Sequence, residues 1–122
     1  MGGGRLLPRL DRPDPDRALD GAVWNVVPGQ NPGTSNILFG VSAAADGTMW
    51  AVGGQGRASG PPLVLTERWD GVSWSVVKGR NPGTDYNRLG GVAAISSADA
   101  FAGGTYLNSG ENVERTLAER YC

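Results

Sequence analysis

The residues that could carry out chemistry in this chain are few, and the missing ones exclude whole classes of reaction. Its 122 residues include no histidine and a single cysteine, Cys122. A nucleophile activated by histidine is therefore excluded, as are a cysteine–histidine zinc site and an internal disulfide. We expect the chain to be non-enzymatic, with no catalytic residue, no metal site and no cofactor.

A glycine-rich stretch, GGQGRASG at 53–60, has a composition seen in phosphate-binding loops. It matches neither the dinucleotide-binding pattern nor the P-loop, and the sequence after it predicts no helix. We interpret it as a flexible loop between strands.

Charged and aromatic residues recur at matching places along the chain. Glu67-Arg68 returns as Glu119-Arg120, which favours a structural role as solvent-facing charges or as ion pairs between repeat units. The four tryptophans lie within predicted strands, which favours a shared core between repeat units over sugar stacking. They are Trp24, Trp50, Trp69 and Trp74.

Three neighbouring residues interrupt this recurrence. Asp85, Tyr86 and Asn87 follow the second copy of the sequence NPGT, within a predicted loop. Because loops carry most binding residues, and because ligand contacts tend to break repeat symmetry, these three are our candidate ligand-binding residues.

The repeat itself is clearest in one pair of segments. DGAVWNVVPGQNPGT (20–34) and DGVSWSVVKGRNPGT (70–84) are identical at 10 of 15 positions. Further matches follow at a spacing of about 50 residues. LFGVSAA (38–44) corresponds to LGGVAAI (89–95), and LTERW (65–69) corresponds to LAERY (117–121).

The elements that must hold these residues are predicted to be strands. Runs rich in Val, Trp and small residues alternate with clusters of Gly, Pro, Asn and Asp. Asp46-Gly47 and Asp70-Gly71 predict two-residue hairpin turns. The stretch 111–122 has helical propensity, but its counterpart 65–69 indicates a strand. The predicted strands are 22–27, 38–44, 48–54, 63–69, 73–77, 89–96, 100–107 and 116–122.

Four strands in a period of about 50 residues are typical of a β-propeller blade, a four-stranded antiparallel sheet. We therefore predict an all-β fold, a partial propeller over 20–122. It would contain a full blade at 38–77 and partial blades at 20–34 and 89–122. Residues 1–19, with their mixed Arg, Asp and Pro, are predicted to be a disordered leader.

These motifs resemble the kelch or galactose-oxidase-type propeller repeats of bacterial proteins, many of them secreted. Trp69, Asp70, Gly71 and Trp74 match the family's W-(D/N)-G-x-x-W signature, and Gly53-Gly54 match its double glycine. With Phe101 aligned to Trp50, Gly103-Gly104 fall one position early. The resemblance covers about 100 residues, from Asp20 to Tyr121.

The resemblance implies binding of protein or carbohydrate partners on loops at the blade ends. Its copper-oxidase branch uses histidine ligands, which this chain lacks. A sialidase-like turn would need a serine before Asp46, and Trp50 stands at the wrong spacing for it. The resemblance implies an extracellular location, whereas the sequence shows no signal peptide. The two observations disagree, so the sequence predicts no single compartment.

Charge and length limit the partners. The net charge of −1 argues against nucleic acid, and no apolar run is long enough to insert in a membrane. Two blades cannot close a ring. We expect a piece of a longer propeller or, alternatively, a lectin-like module that closes as a homo-oligomer through its blade edges, for example three copies with six blades. A third alternative is an inactive piece of a propeller enzyme.

Overall fold

The computed structural model describes residues 23–122, and every regular element in this range is a β-strand. The strands form two antiparallel sheets. The first sheet contains β1 (Ser35–Ala43), β2 (Met49–Gly56), β3 (Leu63–Trp69) and β4 (Trp74–Val76), in that order. The second sheet contains β5 (Tyr86–Ser96), β6 (Asp99–Leu107) and β7 (Arg115–Tyr121).

The predicted all-β class is confirmed, and β7 forms where the repeat indicated a strand against local helical propensity. In the described range, no helix is long and apolar enough to cross a membrane. The predicted leader, residues 1–19, lies outside the described residues.

One predicted strand is wrong. Residues 23–27 of the expected strand 22–27 form no regular structure, and Ala22 is outside the described range. Trp24 is 101% exposed and Val26 is 95% exposed. A strand needs the edge of a neighbouring sheet to pair with, and the described chain offers this segment none.

The two sheets share an internal irregularity that fixes their strand register. A bulge lies between Leu38 and Gly40 in β1 and again between Leu89 and Gly91 in β5. Opposite the bulges stand Gly53 and Gly104. A Cβ atom on Gly53 would lie 1.8 Å from the backbone oxygen of Ile37, and one on Gly104 would lie 2.0 Å from that of Arg88. The two glycines are therefore structural equivalents, although the double glycines containing them are offset by one residue.

The hairpin turns differ from the predicted two-residue Asp-Gly loops. Between β1 and β2, Ala44 N–H donates to the Thr48 carbonyl, so the loop has three residues, with Gly47 at a φ of 89°. Between β3 and β4 the two central residues are Gly71 and Val72, with Gly71 at a φ of 101°. In both turns the aspartate carboxylate instead accepts hydrogen bonds from following backbone N–H groups.

The sheets pack through β5, which contacts β1, β2 and β3. A small apolar core lies between them, formed by Val52, Val64, Leu89 and Leu117. Trp50 is buried beside it, donates its indole N–H to the Ser96 carbonyl at 2.9 Å, and packs 5.0 Å from the Tyr121 ring. Antiparallel hairpins place all the longer loops at the end where β1, β3 and β5 begin, and the short turns at the other end.

Candidate functional site

A small groove lies at the long-loop end, between the first sheet and the start of β5. Its volume is about 210 Å³. Its walls come from both sheets, so its shape depends on how β5 packs against β1 and β2. We refer to it as the Tyr86 groove. The lining residues that matter below are Ile37, Phe39, Gln55, Tyr86, Asn87 and Arg88.

The polar wall of the Tyr86 groove is held by one carboxylate. The Tyr86 hydroxyl donates a hydrogen bond to Glu114 Oε2, and the Arg88 guanidinium forms an ion pair with the same oxygen at 3.2 Å. The Arg88 guanidinium carbon also lies 5.1 Å from the centre of the Tyr86 ring. Both ends of the Arg88–Glu114 pair are about half exposed, so the guanidinium can still reach a ligand.

The apolar wall comes from the irregular part of β1. Phe39 is the unpaired residue of the bulge and Ile37 lies two residues before it; they are 54% and 55% exposed. Apolar and aromatic side chains beside an accessible arginine and a tyrosine are typical of sites that bind proteins. The groove can therefore bury an apolar side chain and offer an acidic or carbonyl group to Arg88.

The three candidate ligand-binding residues occupy different environments. Asp85 is exposed, with its backbone N–H donating to the Leu107 carbonyl. Tyr86 lines the groove. Asn87 is 1% exposed: its Oδ1 accepts from Gly83 N–H, and its Nδ2 donates to the carbonyls of Pro62 and Gly83. Asn87 is thus buried at the wall of the groove, where its side chain holds the loop at Gly83 against Pro62.

Asn87 also turns out to have a counterpart in the repeat. Asn36 exchanges the same two hydrogen bonds with Gly33 that Asn87 exchanges with Gly83. The separation is three residues in the first case and four in the second, because the second connection is one residue longer. This one-residue insertion made the segment look irregular in sequence.

A larger cleft, of about 710 Å³, opens between the two sheets on the side of β7. Glu119 faces it. Glu119 Oε1 accepts the backbone N–H of Arg80 at 3.1 Å, and its buried Oε2 has no partner among the described residues. Burial raises the pKa of Glu119, against the opposing effects of the Arg80 N–H and the Arg80 charge.

The repeated Glu-Arg pairs are structural, but in a different way from the one expected. Glu67 is 1% exposed and accepts the backbone N–H of Gln30 at 2.9 Å, so it is not a solvent-facing charge. Arg68 stacks on Trp50, and Arg120 stacks on Phe101. Arg120 pairs with Asp99 of its own sheet, so this ion pair does not link the two sheets.

The tryptophans divide between core and surface. Trp50 lies between the sheets as expected. Trp69 and Trp74 pack against each other across β3 and β4, with ring centres 5.5 Å apart. The expectation of a core role is wrong for the fully exposed Trp24.

Sequence reasoning missed Arg88 and Phe39, which line the Tyr86 groove, and Glu114, which binds the side chains of Tyr86 and Arg88. Arg88 lies two residues after Tyr86, and alternation along a strand places such residues on one face, so this signal was available. Glu114 lies in a distant loop, and only the pairing of β5 with β6 and of β6 with β7 brings it near.

Residues 23–122 place no three or more His, Cys, Asp or Glu side chains where they could hold a metal ion together. Comparison with known proteins finds no family model, no curated protein and no solved structure that matches this chain.

Proposed function

We propose that this chain is a non-enzymatic β-propeller repeat module that binds a protein partner at its long-loop end. Two features support the assignment of blades. The chain repeats with a period of about 50 residues, and the first sheet has four antiparallel strands in sequential order. The bulges opposite Gly53 and Gly104 give the two units the same backbone design.

The observation that carries the binding role is the composition of the Tyr86 groove. Exposed Ile37 and Phe39 face a tyrosine and an accessible arginine. A protein partner fits this groove better than a carbohydrate, because the Arg88 guanidinium already lies against the Tyr86 ring, where a sugar would stack. The absence of histidine from the sequence supports a role without catalysis.

The test is a binding screen on a panel of immobilised peptides and a panel of oligosaccharides, with the complete chain as probe. We expect peptides with an apolar residue next to an acidic one to bind. Arg88→Ala should weaken that binding about tenfold or more, as removal of an anchoring arginine usually does.

The matched control is Arg115→Ala. Arg115 is as exposed as Arg88, pairs with a carboxylate in the same manner, and lies outside the groove. It should leave peptide binding unchanged. Binding of oligosaccharides alone, or equal losses in the two variants, would contradict the proposed role of the groove.

A further inference from the structure

Within the chain, one segment closes the outer edge of β3. Residues 74–76 form β4 and pair with β3, and Val77 N–H then donates to the Thr66 carbonyl at 2.8 Å. Further along, Asn81 Oδ1 accepts the Val64 backbone N–H at 2.7 Å. The segment therefore contacts the β3 edge along its length, from Trp69 at one end to Val64 at the other.

The same segment continues onto the second sheet. Arg80 N–H donates to Glu119 of β7. Gly79 lies between the sheets, where an added Cβ would be 2.5 Å from Val64 and 2.9 Å from Glu119. Residues 74–81 therefore pair with one sheet at their start and contact the next sheet at their end.

Residues 24–31 are the repeat of this segment. Their end contacts a sheet through Glu67, but their start does not pair with a sheet edge. Gln30 N–H donates to Glu67 as Arg80 N–H donates to Glu119, and Gly29 lies against Glu67 as Gly79 lies against Glu119. Residues 24–27 form no strand, and Trp24 and Val26 project into solvent. The half of the segment that should pair with a sheet edge has no sheet within the described chain.

The outer edge of β7 is an unpaired strand edge in the described chain, at the place where β4 pairs with β3 in the first sheet. Thr116 and Ala118 are exposed, whereas their counterparts in β3, the buried Val64 and the half-buried Thr66, are hydrogen-bonded to the 74–81 segment through their backbone. Tyr121 is 39% exposed. An uncovered strand edge with unpaired N–H and C=O groups is a template for another strand.

We propose that residues 24–31 of one copy of this chain add to the β7 edge of a second copy and complete its second sheet as a four-stranded one. The inference rests on the blade assignment of the proposed function, but not on the Tyr86 groove or its ligand. The geometry of β3 and β4 fixes the register. It pairs Trp24 with Tyr121, Asn25 with Arg120 and Val26 with Glu119, directs Val27 N–H to the Ala118 carbonyl, and directs Thr116 N–H to Asn31 Oδ1.

The chain cannot make this contact with its own β7. The step from residue 77 to residue 80 crosses from the first sheet to the second. The equivalent step from 27 to 30 ends on the first sheet, on the face that carries Glu67. Glu67 and Trp50 alternate onto opposite faces, and Trp50 faces the second sheet. Residue 27 therefore lies on the far side of the first sheet from β7, and the partner is a second copy.

Cysteine cross-linking of the complete chain tests the register directly. In the first sheet Asp70 N–H donates to the Ser73 carbonyl, so the proposed pairing places Val23 of one copy opposite Cys122 of the other. Cα atoms of opposed residues in antiparallel strands are about 4.5–5.5 Å apart, within the range that a disulfide spans. Under mild oxidation Val23→Cys should form a ladder of species joined by disulfides between residues 23 and 122.

The matched control is Val72→Cys, which places an exposed cysteine on the β3–β4 turn. It should form no ladder under the same conditions, and the unmodified chain should give at most dimers joined through Cys122. Peptide mapping identifies the linked residues. A Val23→Cys protein that behaves like the control, or that links 23 to 122 within a single chain, would overturn the proposal.

Solution mass by light scattering gives an independent readout. The unmodified chain should form a discrete oligomer, and Trp24→Ala should raise its dissociation constant about tenfold or more because it removes the contact with Tyr121. Val72→Ala, an equally exposed apolar truncation, should leave the mass unchanged. A folded monomer at all concentrations would refute self-association. Neither readout uses a peptide or sugar ligand, so a failure here is distinct from a failure of the Tyr86 groove.

Discussion

A methyl group added to Gly104 should destabilise the fold far more than one added to its neighbour Gly103. The Gly104 Cβ would lie 2.0 Å from the Arg88 carbonyl oxygen and 2.6 Å from Leu89 Cα, both backbone atoms. At Gly103 the nearest atom would be the Leu117 carbonyl oxygen, at 3.8 Å, which is an ordinary contact. The two substitutions change composition identically at adjacent positions of β6.

The expected loss in the free energy of unfolding follows from the shift that the β5 backbone must make. To bring the Gly104 contact to 3.0 Å, the β5 backbone would have to shift by about 1 Å at its bulge. Overpacking of this kind costs about 1–3 kcal/mol, and a lost ladder hydrogen bond adds about 1 kcal/mol. Lower entropy of the unfolded chain offsets about 0.4–1 kcal/mol of this. We expect Gly104→Ala to lose about 2 kcal/mol, whereas Gly103→Ala should be neutral or slightly stabilised.

Thermal and urea unfolding followed by tryptophan fluorescence would measure both effects. For a domain of this size about 2 kcal/mol corresponds to a fall in Tm of about 8–16 °C. The first sheet supplies a second matched pair: a Cβ added to Gly53 would lie 1.8 Å from the Ile37 carbonyl oxygen, whereas the nearest contact of one added to Gly54 would be the Arg88 Cβ at 3.7 Å. Gly104→Ala and Gly103→Ala proteins of equal stability would refute the proposed bulge geometry.

Three further predictions concern the contact between the sheets. Trp50→Ala should cost about 3–5 kcal/mol, measured by urea unfolding, because it empties the space between the sheets. The pKa of Asp46 is lowered, first by its hydrogen bond from the Thr48 hydroxyl and also by Ser97 N–H. The ionised Asp46 should therefore stabilise the fold above the ordinary pKa of 3.8, and this stabilisation should be lost as pH falls through the lower folded-state pKa. Asp46→Asn should remove this pH dependence from the acid-unfolding curve. Ionisation of Glu119 has the opposite effect on stability. Because its pKa is raised, the ionised form destabilises the fold above the folded-state pKa. Glu119→Gln should therefore stabilise the protein at pH 7, and this gain in stability should disappear below pH 4.5.

Each of the three has a contrary outcome. A loss below 1 kcal/mol in Trp50→Ala would mean that the sheets do not depend on the indole. Identical acid-unfolding curves for the unmodified chain and Asp46→Asn would mean that the hydrogen bonds from Thr48 and Ser97 do not favour the ionised carboxylate. Glu119→Gln that destabilises at pH 7 would mean that the carboxylate is better satisfied than its hydrogen bonds indicate.

The sequence by itself determined the strand content and the repeat. Short runs of aliphatic, aromatic and small residues between turn residues predicted β3 and β6, and these are local signals. The repeat also overrode a misleading local preference at 115–121, where helical propensity competes with a strand. Equivalent sequence at LTERW and LAERY carried information about the fold that propensity alone lacked.

The tertiary structure decided which of two nearly identical segments became a strand. Residues 74–76 and 24–26 have the same pattern of Trp and Val, yet only the first pairs, because only it follows an adjacent β3 edge. Burial was decided in the same way. Asn87 looked like an exposed loop residue and Glu67 like a surface charge, but both are 1% exposed. Asn87 has a local partner in Gly83, but Pro62 for Asn87 and Gln30 for Glu67 come from distant parts of the chain. A polar residue can be buried when such partners satisfy it, and their arrangement depends on contacts far apart in the chain.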